Sequence, residues 1–150
     1  MSIPITLKTL DLLAILMYNK GKRRVINVKQ IKTDKAPAAI GPYSQAIISG
    51  NTVYCSGQIP INPETGEIPE GVANQAHQVF KNIKNLLEAA GTSIDKVIKT
   101  SVFIKDMNDF AEINAIYAEY FTEPYPARSC VEVARLPKDV LLETEVIAEL

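Results

Sequence analysis

The sequence predicts a single α+β domain, built from a mixed β-sheet with two helices packed on one of its faces. Three observations lead to this fold class. The expected elements follow the order β-β-β-α-β-α-β-β, which favours helices gathered on one side of a sheet. The length of 150 residues is that of one ordinary domain. The chain also contains no internal repeat, no low-complexity stretch and no linker long enough to separate two domains.

Three strands are expected in the first part of the chain. A β-branched bias predicts a strand at residues 24–31, and two shorter strands are expected at 45–49 and 52–56. Between the last two, Gly50 and Asn51 tolerate the positive φ values that a two-residue hairpin requires. The segments 35–43 and 57–71 are rich in Pro and Gly, so we expect both to be loops.

The clearest helix covers residues 72–90. Apolar side chains recur there at spacings of three and four, which predicts one buried face. These residues are Val72, Ala76, Val79, Ile83, Leu86 and Leu87. Gly91 supplies a stop signal directly after the last apolar position.

The second half of the chain repeats the alternation of strand and helix. A strand is expected at 94–105, and Asp106 to Asp109 can turn the chain and cap a second helix that runs to about Tyr120. The apolar face of that helix is formed by Phe110, Ile113, Ile116, Tyr117 and Tyr120. Two final strands, 128–135 and 140–149, flank a turn at 136–139.

This arrangement leaves one face of the sheet without helices. The central strands are too apolar for a face that stays in water, so we expect that face to be buried against other subunits. The pattern therefore predicts an oligomer.

Composition and charge exclude several classes of protein. The chain is 47% hydrophobic and 22% charged, and its net charge of −1 argues against a protein built mainly to coat nucleic acid. The charge is uneven, because residues 1–35 carry +6 and residues 36–150 carry −7. We therefore divide the chain into a basic and apolar extension, 1–24, and a domain, 25–150. The apolar run at 10–18 is too short to span a bilayer and lacks a signal-peptide cleavage site; an appended helix or strand is favoured over targeting or membrane attachment.

Few residues are available for metal or nucleophilic chemistry. The chain has two cysteines and one histidine, fewer than the four ligands of a structural zinc site. We interpret Cys55 and Cys130 as reduced thiols of a cytoplasmic protein, with organellar targeting left open. His77 lies within the first predicted helix. We expect its side chain on the solvent side of that helix and do not expect it to act as a general base. A Cys-His dyad with Cys130 is the geometrically possible alternative. No common phosphate-binding, metalloprotease or serine-hydrolase motif is present.

Two charged positions stand out in the final strands. Arg128 opens a strand directly after Pro126 and Ala127, where a planar guanidinium can grip a carboxylate or a phosphate. The alternative is an ordinary surface ion pair. Glu143 and Glu145 share one face of the last strand, where carboxylates can act on water or simply form a solvated strand face. Glu145 is assigned a structural role.

Four ordered segments carry a resemblance to a known family. They are APAAIGPYSQ (36–45), SGQIP (56–60), VFIKDMNDF (102–110) and PARSCVEVARLP (126–137). Together they resemble the RidA (YjgF-type) reactive intermediate deaminases over residues 28–148. The resemblance implies a chorismate-mutase-like fold, a homotrimer with active sites in the clefts between subunits, and no cofactor or metal. The implied reaction hydrolyses short-lived enamines and imines, such as 2-iminopropanoate and 2-iminobutanoate, to 2-keto acids and ammonia.

The resemblance also implies roles for individual residues. Arg128 falls on the substrate-binding arginine and Glu143 on the glutamate that orients the attacking water. Tyr43 matches a tyrosine of the cleft. The remaining cleft-lining positions are Ser56, Gly57, Asn114 and Cys130. The loop 121–126 is more compact than in longer family versions, which is expected to alter the cleft and the substrate preference.

Two other functions remain open from the sequence. Members of the family have been described as endoribonucleases and translation inhibitors, and the basic extension gives nucleic acid a possible contact. A chaperone or a ligand-binding module without turnover is the third hypothesis. Both rank below the enzyme that acts on a small-molecule imino acid, and no membrane association is expected.

Overall fold

The computed structural model describes residues 27–150. The predicted extension 1–24 and the start of the first predicted strand lie outside the described residues. The elements are β1 (Val28–Ile31), β2 (Ala46–Ser49), β3 (Thr52–Gln58), α1 (Val72–Ala90), β4 (Val97–Ile104), α2 (Phe110–Tyr120), β5 (Ala127–Glu132) and β6 (Leu142–Glu149). Their order and type confirm the predicted α+β domain.

The strands form one mixed sheet in the order β1-β2-β3-β6-β4-β5. Four of the neighbouring pairs are antiparallel, and β4 and β5 are parallel. A parallel pair needs a crossover connection, and α2 supplies it between β4 and β5. The last strand, β6, therefore lies in the middle of the sheet, between β3 and β4, while β5 forms one edge.

The turn and stop signals act where the sequence places them. Ser49 pairs with Thr52 across a two-residue hairpin in which Gly50 has a φ of 61°. Gly91 ends α1 in the left-handed conformation, and its N–H donates to the Glu88 carbonyl at 3.0 Å. Asp106 accepts a hydrogen bond from the Asn108 N–H at 2.8 Å, so it caps the short 3₁₀ turn that leads into α2.

Both helices pack on the same face of the sheet and enclose the core. The predicted stripe of α1 is buried from Ala76 to Leu87, together with Phe80, which is fully buried. Alternate residues of the central strands meet it, since side chains of a strand point to opposite faces in turn. On β4 and β6 these residues are Thr100, Val102, Ile104, Leu142, Thr144 and Val146.

Among residues 27–150 no helix covers the opposite face of the sheet in one protomer. Tyr54 of β3 and Val131 of β5 are each about half exposed there, at 48% and 46%. Phe103 and Ile147 lie on the same face, because Phe103 is paired with Val131 and Ile147 with Tyr54. An apolar sheet face left open in this way is typical of a surface that associates with another chain.

Several strand boundaries differ from the predicted ones. β4 begins at Val97 rather than residue 94, because Ile94–Lys96 forms a 3₁₀ turn. β5 ends at Glu132 rather than at 135, because its pairing partner β4 ends at Ile104, opposite Glu132. β6 begins at Leu142 because the preceding turn, Pro137–Asp139, holds Lys138 and Asp139 at positive φ.

The expectation for His77 was wrong in one respect. Its side chain is not on the open solvent side of α1 but half-buried, and its Nδ1 lies 3.2 Å from the Tyr120 hydroxyl at the end of α2. The two helices cross closely enough for this contact. His77 therefore joins helix to helix, and its partner is Tyr120 rather than Cys130.

None of the helices within residues 27–150 is both long enough and apolar enough to cross a membrane.

Candidate active site

Arg128 lies on the edge strand β5 and turns its side chain to the helix-covered side of the sheet. Its pairing partner on β4 is Thr100, which is fully buried on that side. The guanidinium carbon lies 4.6 Å from the ring centroid of Tyr117 and 5.6 Å from that of Phe110, both on α2. A guanidinium over aromatic faces is held by cation–π attraction and keeps its N–H groups free for a ligand.

The expected alternative for Arg128, a surface ion pair, is not found. Within the described part of the chain the one ion pair joins Arg135 to Asp139, and both side chains are exposed. Arg128 also donates no hydrogen bond to any residue from 27 to 150, although Tyr117 and Phe110 hold its position. Its planar fork is therefore available for a carboxylate.

Tyr117 is a rigid platform beneath this arginine. Its hydroxyl lies 3.1 Å from the Thr100 hydroxyl, and its ring stacks on Phe121 with centroids 4.2 Å apart. Burial raises the pKa of the Tyr117 phenol, while the Thr100 hydrogen bond and the Arg128 charge oppose that rise. The phenol therefore stays neutral at physiological pH, and its ring lies beneath the Arg128 guanidinium.

A concavity of about 330 Å³ opens beside Arg128. Its wall brings together two of the predicted site residues, Arg128 and Asn114, with Tyr117 as its floor. Ala118, Tyr125 and Pro126 complete the lining. The loop 121–126 thus contributes Tyr125 and Pro126 directly to the wall.

Cys130 follows Arg128 on the same side of β5. It is half-buried and packs against the hydrophobic core. Burial raises the pKa of its thiol, and the nearby charge of Arg128 only partly offsets this. A thiol in that environment is a poor nucleophile at neutral pH, and Cys130 is not among the residues that line the concavity beside Arg128.

Glu143 occupies the other face of the sheet. It lies on β6 opposite Phe103, between Leu142 and Thr144, which point into the core. Burial raises the pKa of the Glu143 carboxyl, and the like charge of Glu145 raises it further. Glu145 itself is exposed. A carboxylate with a raised pKa is suited to accept a proton and return it.

Gly57 is shaped to receive this carboxylate. Glu143 Oε1 rests against Gly57, in the space that a Cβ atom would fill at that position. Any other residue would displace the carboxylate. The lack of a side chain at Gly57 therefore leaves the space that the Glu143 oxygen occupies.

Tyr43 and Ser56 lie near Gly57. The Ser56 hydroxyl donates to the Ser44 carbonyl at 2.7 Å, so the serine ties β3 to the residue that follows Tyr43. The Tyr43 hydroxyl accepts a hydrogen bond from the Ile40 N–H at 3.3 Å, and its side chain is 48% exposed. Tyr43 and Gly57 line one small recess of about 40 Å³.

The predicted residues therefore form two groups on opposite faces of one protomer. Arg128, Asn114 and Cys130 lie on the side of the helices, whereas Glu143 points to the open face. The strand register explains this placement. Arg128 pairs with Thr100 of β4, and Glu143 pairs with Phe103, three residues further along the same strand. Because side chains along a strand alternate between the two faces, the two charged side chains point to opposite faces. Within one protomer the two charged side chains therefore point away from each other.

Sequence reasoning missed two features of these groups. Tyr117 and Phe110 were predicted only as the buried face of a helix, and nothing in the chain indicated that Arg128 would lie over their rings. Gln58 belongs to the segment 56–60 but was assigned no role. A polar residue at the end of an apolar strand could have indicated one.

Among residues 27–150 no group of three or more His, Cys, Asp and Glu side chains could hold a metal ion.

Comparison with known proteins places this geometry in context. Residues 33–150 match the family model described as Endoribonuclease L-PSP. The 2-iminobutanoate/2-iminopropanoate deaminase of Escherichia coli is 58% identical over 123 residues, which cover 80% of this chain and 96% of the relative. A RutC family protein of Pyrococcus horikoshii is 60% identical over 119 residues, or 79% of this chain and 94% of the relative.

Solved structures match the same region. The crystal structure of RidA from the Antarctic bacterium Psychrobacter is similar with a TM-score of 0.79 and 52% identity, covering 81% of this chain and 99% of that one. The structure of E. coli TdcF with bound serine is similar with a TM-score of 0.78 and 54% identity, covering 81% and 98%.

Proposed function

The chain belongs to the endoribonuclease L-PSP family, which includes RidA, and from this we propose that it is an enzyme that hydrolyses 2-imino acids. The substrates are 2-iminopropanoate and 2-iminobutanoate, with their enamine tautomers, and the products are 2-keto acids and ammonia. Support comes from the names of curated relatives at 55–58% identity, which are 2-iminobutanoate/2-iminopropanoate deaminases. The observation that carries the proposal is the guanidinium of Arg128, which has no ion-pair partner among residues 27–150 and lies over two aromatic rings beside a concavity.

Arg128 binds the substrate through its carboxylate. A 2-imino acid presents its carboxylate next to the reacting carbon, so a two-point grip fixes both the position and the orientation of that carbon. Asn114 lies in the same wall and can donate to the substrate. The side chain of the imino acid then lies toward Tyr125 and Ala118, where the space is limited.

Glu143 activates water for attack. The water oxygen bonds to the imine carbon, the C=N electron pair moves to nitrogen, and Glu143 takes a proton from the water. The proton then passes to the amine nitrogen of the tetrahedral intermediate. Glu143 then takes the hydroxyl proton of this intermediate and passes it to the nitrogen as the C–N bond breaks, so that ammonia leaves and the carbonyl forms. An imine is already electrophilic, so positioning, one water and one proton carrier are sufficient.

The opposite placement of Arg128 and Glu143 leads us to propose that each site joins two protomers of a homotrimer. Arg128 with Asn114 and Cys130 comes from one protomer, and Glu143 with Tyr43, Ser56 and Gly57 from its neighbour. The open, half-exposed apolar face with Tyr54 and Val131 supports this, because association buries it and brings the Glu143 side against a neighbour.

The proposal is tested by generating 2-iminobutanoate with a threonine dehydratase and following the release of 2-oxobutanoate. We expect the protein to accelerate release, and a rate equal to that of spontaneous hydrolysis would contradict the proposal. The endoribonuclease of the family description and a non-catalytic binding module are the alternatives. Cleavage of RNA by the protein without acceleration of keto-acid release would favour the first, and saturable keto-acid binding without turnover the second. We propose a cytoplasmic location, in keeping with the two free thiols Cys55 and Cys130.

A further inference from the structure

A buried glutamine lies directly behind the glycine that receives Glu143. Gln58 is the last residue of β3 and is only 4% exposed. The register of β3 against β6 shifts between Cys55 and Gln58, so Ser56 and Gly57 lie in a bulge. Residues in a bulge lack the regular ladder that fixes a strand. Here the Ser56 N–H donates to the Gln45 carbonyl at 2.9 Å, and the carbonyls on either side of the Gly57 Cα take other partners.

The side-chain amide of Gln58 makes contact with both peptides of this bulge. Its Nε2 donates to the Ser56 carbonyl at 3.1 Å and to the Gly57 carbonyl at 3.4 Å. Because each peptide unit is planar, holding its carbonyl also fixes the orientation of the whole unit. The two carbonyls belong to the peptide units on either side of the Gly57 Cα.

The other end of the same amide has no partner. Gln58 Oε1 is buried without a hydrogen bond to any residue from 27 to 150, and so is the hydroxyl of Thr144, its pairing partner on β6. A buried acceptor without a partner is unfavourable, and an apolar side chain of the same size would avoid that cost. What the glutamine provides against that cost is the pair of hydrogen bonds from its Nε2 to the two carbonyls of the bulge.

We propose that Gln58 is a positioning residue for the deamination: by holding the Ser56 and Gly57 peptides it sets the place of Gly57, and with it the place of the Glu143 carboxylate. The inference rests on the proposed function of Glu143. Gly57 is the link, since the Glu143 oxygen occupies the space above its Cα atom.

The test replaces Gln58 by methionine, which keeps the size and removes both donors. We expect kcat for 2-iminobutanoate to fall about 10-fold or more, because the carboxylate leaves the position from which it orients water. KM is expected to stay within about twofold, since Arg128 grips the substrate from the other protomer. The acid limb of the kcat/KM profile is expected at lower pH, because burial is what raises the pKa of Glu143.

The matched control is Gln75→Met. Gln75 is also a buried glutamine, with its Nε2 donating to the Pro69 carbonyl at 3.0 Å and its Oε1 accepting from the Leu141 N–H at 2.8 Å. Both ends of that amide are partnered, so this variant should lose more thermal stability than Gln58→Met. It should nevertheless keep the wild-type kcat and pH profile.

A crystal structure of Gln58→Met gives a readout that does not depend on activity. We expect displaced Gly57 and Glu143 atoms, and an unmoved Glu143 carboxylate would overturn the inference. A folded Gln58→Met with wild-type kcat and an unshifted acid limb would overturn it as well. If the Gln58→Met variant does not fold, the same measurements are made on Gln58→Leu. If the wild-type protein is inactive, the proposed function is contradicted. The position of the Glu143 carboxylate in the crystal structure of Gln58→Met then decides the role of Gln58 by itself.

Discussion

Replacement of Arg128 tests the substrate-binding half of the site. In the proposed complex the guanidinium makes two charge-assisted hydrogen bonds to the substrate carboxylate. Each contributes about 1.5–3 kcal/mol, so Arg128→Ala removes about 3–6 kcal/mol, which is about 10²–10⁴-fold in kcat/KM. Arg128→Lys keeps the charge but loses the fork and should retain part of the activity, with a loss of about 10–150-fold.

The fold should tolerate both changes. Arg128 is exposed on an edge strand, and its contact with the Tyr117 ring contributes only about 0.5–1 kcal/mol at such a site. For a chain of this size that corresponds to a few degrees in Tm, about 2–4 °C per kcal/mol. Circular dichroism should therefore show folded variants with nearly wild-type Tm.

The assay couples threonine dehydratase to the protein and follows 2-oxobutanoate under conditions where imine hydrolysis limits the rate. Arg135→Ala is the matched control, because Arg135 is an exposed arginine whose ion pair with Asp139 lies outside the proposed site. It should keep full activity. Our assignment of Arg128 is wrong if Arg128→Ala accelerates keto-acid release as well as the wild-type protein does.

Three further predictions concern individual groups. Burial and the charge of Glu145 raise the pKa of Glu143, so kcat/KM should fall with decreasing pH through a midpoint above the ordinary glutamate value of about 4.3. Glu145→Gln should move that midpoint to lower pH. A pH–rate profile of both proteins checks this, and a midpoint unmoved by Glu145→Gln would contradict it. Thr144→Val removes a buried hydroxyl without a partner among the described residues and should raise the free energy of unfolding by about 1 kcal/mol, measured by urea titration; a loss of stability would show that the hydroxyl is satisfied. Tyr117→Phe removes the hydrogen bond to Thr100 but keeps the ring under Arg128, so it should cost about 1 kcal/mol of stability while KM stays within about threefold; a large rise in KM with unchanged stability would argue that the hydroxyl itself contacts substrate.

The architecture was largely predictable because local signals and long-range packing agree. The stripe of α1, the hairpin at Gly50 and the stop at Gly91 each depend on short-range periodicity or backbone freedom, and the structure confirms all three. The strand ends were less predictable. β5 ends where β4 offers no further partner, and this depends on pairing between segments that are distant in sequence.

The site could be predicted only as a set of residues. The family resemblance assigned roles to Arg128 and Glu143, yet their placement on opposite faces depends on the registers of β5 and β6 against β4. The aromatic platform depends on how α2 crosses the sheet, and the role of Gln58 depends on a bulge. Neither leaves a pattern in a single sequence that distinguishes it from ordinary core packing.

The central claim is that one site requires Arg128 of one protomer and Glu143 of its neighbour, and subunit mixing tests it directly. Arg128→Ala and Glu143→Gln chains, each nearly inactive alone, are co-expressed with different affinity tags, and the assemblies that carry both tags are isolated. In a cyclic trimer that contains both chains, in either 2:1 composition, one of the three sites has both wild-type groups, so about one third of the wild-type activity should return. Mixed assemblies as inactive as either parent would contradict the account.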